Sequence, residues 1–109
     1  MPVSKGYKAF VIEQLSHFAN ISSRHMFSGV GLYADEFFFA LIFNDRLYFK
    51  VDDSNQPDFE AKGMGPFRPY SDERTMKYYE VPIDVLEDVD ELKKWCEKAV
   101  RVSMNSKKK

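Results

Sequence analysis

The sequence predicts a two-layer α+β domain, in which an antiparallel β-sheet meander carries the N- and C-terminal helices on one face. Four apolar runs fill positions 24–51 and are separated by predicted turn residues at 28–31, 35–36 and 44–46, and helical patterns lie before them and at the end of the chain. Because short turns join only antiparallel neighbours, the four runs should form consecutive strands of one sheet. A further short helix and a further strand follow, which gives the order α-β4-α-β-α.

Length and charge limit the classes of function. The chain of 109 residues is 44% hydrophobic and 30% charged, which fits one globular domain at residues 1–105 and a flexible basic tail at 106–109. Its formal net charge of -1 predicts that nucleic-acid binding is at most weak, since such binding needs a basic surface. No apolar run reaches the about 20 residues of a membrane helix. With Cys96 as the single cysteine, we expect a cytoplasmic protein without disulfides, metal or cofactor.

Both terminal helices show an apolar stripe at helical spacing, and Ser4 is the expected N-cap of the first helix. The stripes comprise Tyr7, Val11, Leu15 and Phe18 in the first helix and Leu92, Trp95, Ala99 and Val102 in the last. We expect both, with Phe10 beside the first, to cover one face of the sheet. Cys96 flanks the second stripe and should be an inert core residue.

Residues 37–43 set the predicted faces of the sheet. Regular alternation directs Phe37, Phe39, Leu41 and Phe43 towards the helices, and Phe38, Ala40 and Ile42 towards the opposite face. With residues from neighbouring strands, the opposite face would carry an apolar patch of Tyr33, Phe38, Ile42 and Tyr48. Exposed apolar patches mark protein contacts, so this patch is the predicted interaction surface for a protein partner or a symmetric homodimer. The alternative is that residues 63–74 fold over it.

The acidic stretch after the fourth strand predicts a short helix that ends near residue 63, with Asp53 or Ser54 as its N-cap. It is a poor calcium loop. A loop starting at Asp53 would need glycine at its sixth position and glutamate at its twelfth, where Asp58 and Met64 stand. No metal site is therefore expected.

The sequence contains no recognised catalytic motif. His25, beside Arg24, is the one candidate general acid or base, and it has no partner evident in the sequence. The expectation is a protein that is not an enzyme. The alternative is a small enzyme or ligand-binding protein with a pocket near Arg24 and His25.

A series of short motifs resembles one protein family. The motifs are Arg24-x-Met26-Phe27-x-Gly29-Val30-Gly31-Leu32-Tyr33, then Leu47-Tyr48-Phe49-Lys50-Val51-Asp52-Asp53, then Phe59-Glu60, then Tyr78-Tyr79-Glu80-Val81-Pro82. In this order and spacing they are similar to the N-terminal domain of the TfoX/Sxy proteins, regulators of bacterial competence for DNA uptake. Ser28 departs from the pattern, because the family commonly has glycine there.

The resemblance implies an α+β fold and a bacterial, non-enzymatic domain that acts in transcriptional control through contacts with a protein of the transcription machinery. The competence regulators carry a second, C-terminal domain, so it implies the N-terminal domain standing alone. The residues that it marks are Arg24, Met26, Phe27, Gly29, Gly31, Lys50, Asp52, Asp53 and Tyr79.

Overall fold

Among the residues that the structure describes, six strands form one antiparallel sheet, which is one layer of the protein. The computed structural model describes residues 5–18, 20–26, 29–43, 45–67 and 76–107. Its elements are α1 (Lys5–Leu15), β1 (Ile21–Met26), β2 (Gly29–Ala34), β3 (Phe37–Phe43), β4 (Arg46–Lys50), α2 (Gln56–Ala61), β5 (Pro66–Phe67), β6 (Met76–Glu80), α3 (Ile83–Glu87) and α4 (Val89–Lys107). Several predicted features lie outside the described residues, namely the N-cap Ser4, the motif residue Phe27, the turn positions 28 and 44, residues 68–74 of the covering loop, and the tail positions 108–109.

The strand order β1-β2-β3-β4-β6-β5 confirms the predicted meander over its first four strands. All pairs are antiparallel, and β6 joins the far side of β4 with Phe49 opposite Tyr79. The two-residue strand β5 forms the outer edge beside β6. The predicted α+β class is therefore confirmed, and the structure also contains the edge strand β5 and the short helix α3.

Glycine and aspartate meet different backbone demands in the meander. Asp35 and Asp45 both adopt a left-handed φ of 55° in the turns that follow β2 and β3, a conformation that aspartate tolerates well. Gly29 and Gly31, predicted as turn residues, instead belong to β2. A Cβ atom on Gly29 would collide with the carbonyl oxygen of Ile42 on β3, so the close approach of two main chains requires glycine there.

A β-bulge interrupts the alternation of β3. Leu32 pairs with Ala40 and Tyr33 pairs with Phe38, so Phe39 has no partner on β2. Phe39 and Ala40 consequently both belong to the core beneath the helices. Beyond this point every side chain of β3 lies on the face opposite to that expected from regular alternation.

The predicted register is therefore wrong from Ala40 onward. Ala40 and Ile42 lie in the helix-covered core, and Leu41 lies in a separate cluster on the other face, against which Phe43 packs. The one residue without a partner on β2, Phe39, has exchanged the two sets of following side chains between the faces of the sheet.

Helices α1 and α4 cover the sheet as predicted. Val11 and Leu15 of α1 and Leu92 of α4 are fully buried, and the side-chain amide of Gln14 donates to the carbonyl oxygen of Leu86 at 3.0 Å. Phe10 is the exception: 40% of it is exposed, because the buried stripe of α1 is too narrow to include it.

Candidate interaction site

The face of the sheet away from the helices carries an aromatic cluster, here called the aromatic sheet face and defined by Tyr33, Phe38, Leu41, Tyr48 and Tyr78. Tyr33 stacks on Phe38 with ring centroids 5.2 Å apart, and Phe38 meets Tyr78 at 5.7 Å. Leu41, Tyr48 and Tyr78 are buried. Burial raises the pKa of Tyr78 to about 12 and also raises that of Tyr48.

The four residues of the predicted patch have different surroundings. Tyr33 and Phe38 lie together on the aromatic sheet face and are half-buried, and Tyr48 lies on the same face but is buried. Ile42 is 0% exposed in the helix-covered core, because the bulge turns it inward. Its place on the aromatic sheet face is taken by Leu41. Two partly accessible rings remain where an open patch of four side chains was predicted.

Arg24 and His25 are exposed neighbours on β1. Arg24 lies opposite Gly31, and its guanidinium carbon is 5.7 Å from the centre of the Tyr33 ring, so Arg24 belongs to the aromatic sheet face. His25 lies opposite Val30, whose side chain is in the helix-covered core. Successive strand residues point to opposite faces, so these two side chains do not converge on one pocket.

The motif residues Lys50 and Asp52 join β4 to α2 through a buried asparagine. The Asn55 amide donates to the carbonyl oxygen of Lys50 at 3.0 Å, and its oxygen accepts from the main-chain N–H of Asp52 at 2.8 Å. Asn55 is 1% exposed and occupies the N-cap position of α2. Sequence reasoning missed it, because an asparagine in an acidic stretch resembles an ordinary turn residue.

The predicted N-cap of α2 at Asp53 or Ser54 is wrong. The main-chain N–H and the hydroxyl of Ser54 both donate to the Asp52 carboxylate, and these bonds lower the pKa of Asp52. Asp53 is exposed. Within the described ranges, no three His, Cys, Asp or Glu side chains are grouped so that they could hold a metal ion.

The motif residue Tyr79 contacts α2. Its ring lies 6.0 Å from that of Phe59, and its hydroxyl donates to the Glu60 carboxylate at 3.4 Å. Together with Gly29 and Lys50, it belongs to the contacts that hold the fold.

A cavity of about 590 Å³ lies between α2 and α4 and is here called the α2–α4 groove. Ala61 and Trp95 line it, and Trp95 packs edge-on against the buried ring of Phe59 at 4.6 Å. Its cations are Lys62, Lys94, Lys98 and Arg101, and its carboxylates are Asp58, Glu91 and Glu97. Neither α2 nor α4 forms this groove alone.

Ion pairs hold three of the groove's cations. Lys98 on α4 donates to Asp58 on α2 at 2.7 Å, Lys94 donates to Glu91 at 3.2 Å, and Lys62 donates to Asp84 on α3 at 3.2 Å. Every one of these six side chains is at least 42% exposed. In the part of the chain that the structure describes, Arg101 is the groove cation without an ion pair. Sequence reasoning treated Trp95 only as a core residue, because the position of α2 beside α4 is not visible in either segment.

Comparison with known proteins gives one family. The TfoX N-terminal domain model matches residues 13–103 of this chain. No curated protein sequence matches it. Among the described residues, no helix is both long and apolar enough to cross a membrane.

Proposed function

Because this chain belongs to the TfoX N-terminal domain family, we propose that it is a bacterial regulatory domain that acts in transcriptional control by binding a protein partner. The family match carries the proposal, since residues 13–103 include every strand of the sheet and most of α4. The partner belongs to the transcription machinery, the site of action is the cytoplasm, and the domain is not an enzyme.

The roles of the motif residues support a binding domain. The carboxylate of Asp52 accepts bonds from Ser54, and Lys50 offers its carbonyl oxygen to Asn55. These groups therefore stabilise the fold. Small domains usually contact other proteins through exposed arginine side chains and through grooves lined by tryptophan. This domain has both, in Arg24 and in the α2–α4 groove.

The proposal is tested by deleting the gene in the native bacterium and measuring the transcripts of DNA-uptake genes. We expect the transcript levels to change in the deletion strain and to return when the wild-type chain is supplied. Unchanged transcripts under conditions in which the protein is present would contradict the regulatory role.

The enzyme or ligand-binding alternative makes a different prediction for the same strain. His25 is exposed, so His25→Ala should leave the fold intact. If the domain acts through protein contacts elsewhere, the His25→Ala chain restores the transcripts. Failure of this variant at normal protein levels, together with loss of a bound small molecule from the purified protein, would favour the alternative.

A further inference from the structure

We propose that the α2–α4 groove docks an acidic segment of the partner protein, with a carboxylate of that segment on Arg101 and an apolar side chain on Trp95. This inference rests on the proposed function for the existence of a protein partner. The groove itself is defined by the fold alone.

The cations of the groove come from both helices. Lys94, Lys98 and Arg101 recur at spacings of four and three residues, which places them on one face of α4. Lys62, at the end of α2, lies across the groove from them. An incoming chain would thus meet positive charge from both helices.

Positive charge is concentrated near the C-terminal end of the sequence. Residues 93–109 contain seven of the sixteen lysines and arginines but one of the seventeen carboxylates, whereas the whole chain has a net charge of -1. The segment from Lys93 onward is therefore basic, and the rest of the chain is acidic. Such a separation attracts and orients an acidic partner before contact is made.

An aromatic surface lies beside these charges in the groove. Trp95 is half-buried, and its packing on Phe59 holds the indole in place. Tryptophan and arginine are the residues that most often dominate binding at protein interfaces. Trp95 and Arg101 both line this groove, whose volume is in the range of sites that bury several ligand groups.

The groove carboxylates favour a peptide over a nucleic acid. The phosphodiester backbone of a nucleic acid carries a negative charge at every nucleotide, and in this groove it would have to pass Asp58, Glu91 and Glu97. A peptide can place a carboxylate at Arg101 and an uncharged or basic group beside Glu97. The existing ion pairs of Lys94 and Lys98 are exposed and individually weak, so a peptide carboxylate can share these cations.

Trp95 makes the test direct, because it is the only tryptophan of the chain and its fluorescence reports on the groove alone. The purified full chain is titrated with a synthetic peptide of alternating glutamate and leucine. The comparison ligands are the same peptide with lysine in place of glutamate, and single-stranded oligothymidylate. We expect the acidic peptide to shift the emission of Trp95, the basic peptide to have no effect, and oligothymidylate to bind weakly and dissociate at physiological salt.

Charge reversals on one helix supply matched variants. Lys94→Glu and Arg101→Glu should each weaken binding of the acidic peptide by about tenfold, since each replaces an attraction in the groove by a repulsion. Lys93→Glu makes the same change of charge at an exposed position of α4 outside the groove lining, and should weaken binding by about twofold or less. Circular dichroism confirms that the three variants are folded.

Equal weakening by Lys93→Glu, or no response of Trp95 to the acidic peptide, would overturn the proposal. Tighter binding of oligothymidylate that depends on Arg101 would also overturn it and assign the groove to nucleic acid. In the deletion strain, rescue by Arg101→Glu would contradict docking in the groove while leaving the regulatory role intact. A strain without a transcript change would contradict the regulatory role, whereas the peptide titration would still decide whether the groove binds acidic segments.

Discussion

At the scale of single residues, burial controls the reactivity of the Cys96 thiol. Its thiol is 1% exposed beneath the helices, and this burial, together with the neighbouring Glu97 carboxylate, raises its pKa to about 12. The folded state thus holds the thiol proton more tightly than the unfolded state, where the ordinary pKa is 9.0. The protonated thiol stabilises the fold fully below pH 9, and that contribution is lost as the pH rises towards about 12.

We therefore expect Cys96 to react with an alkylating reagent only when the protein unfolds. Alkylation at neutral pH should be slow in buffer and fast in urea, because the reactive thiolate is disfavoured and shielded in the folded state. Tyr7 and Tyr78, whose pKa values are also raised to about 12, affect stability in the same alkaline range. The variant Cys96→Ala separates the contribution of the thiol from that of the two tyrosines. Its free energy of unfolding should fall less steeply above pH 9 than that of the wild type. Rapid labelling of the folded protein would contradict this account.

Asn55 is a second residue whose importance depends on burial. Asn55→Ala leaves the carbonyl oxygen of Lys50 and the N–H of Asp52 without their side-chain partner, so the free energy of unfolding should fall by about 1 to 3 kcal/mol. Asp53→Ala, at an exposed neighbouring position, should change it by less than about 0.5 kcal/mol. Urea denaturation of the two variants measures the difference, and equal losses would show that Asn55 has no special role.

At the scale of elements, the bulge in β3 places Ile42 in the core, where regular alternation would have placed it on the opposite face. Ile42→Ala should lower the free energy of unfolding by about 2 to 5 kcal/mol, because Ile42 is fully buried in the helix-covered core. Ile83→Ala, at a position that is 62% exposed, is the matched control and should have little effect. Chemical denaturation would refute the observed register if Ile42→Ala cost less than about 1 kcal/mol.

Local patterns predicted the helices, the order of the first four strands and the shared face of Tyr33 and Phe38. They could not predict the bulge, because every residue from Phe37 to Phe43 is apolar and either register gives two apolar faces. The bulge exists only in the pairing of β3 with β2. The α2–α4 groove was missed for a similar reason, since Phe59 and Trp95 come from helices whose contact no local spacing records.

The oligomeric state belongs to the scale of the whole molecule. A stable interface buries about 800 Å² on each partner, and this face of the sheet offers mainly the half-buried rings of Tyr33, Phe38 and Phe43. We therefore expect light scattering to give the mass of a single chain at micromolar concentration. Ile42→Asp, which would have separated a dimer formed by the predicted patch, should instead unfold the chain, because it places a carboxylate in the core.

A mass that rises with concentration would support the homodimer. Phe38→Asp should then return the mass to that of one chain if the aromatic sheet face is the interface. A dimer unaffected by this change would have to use another surface.

The strand order also has a consequence for the time course of folding. Strands β1 to β4 pair with one another in sequence order. In contrast, β6 pairs with β4 across a long connection, and α4 packs on β3, which lies far from it in the sequence. Contacts between sequence neighbours close short loops at low entropic cost, so the meander should form first, and β6 and α4 should join it later. Pulsed hydrogen exchange during refolding should show protected amides in β2 and β3 before those in β6, and simultaneous protection would indicate that the sheet assembles in one step.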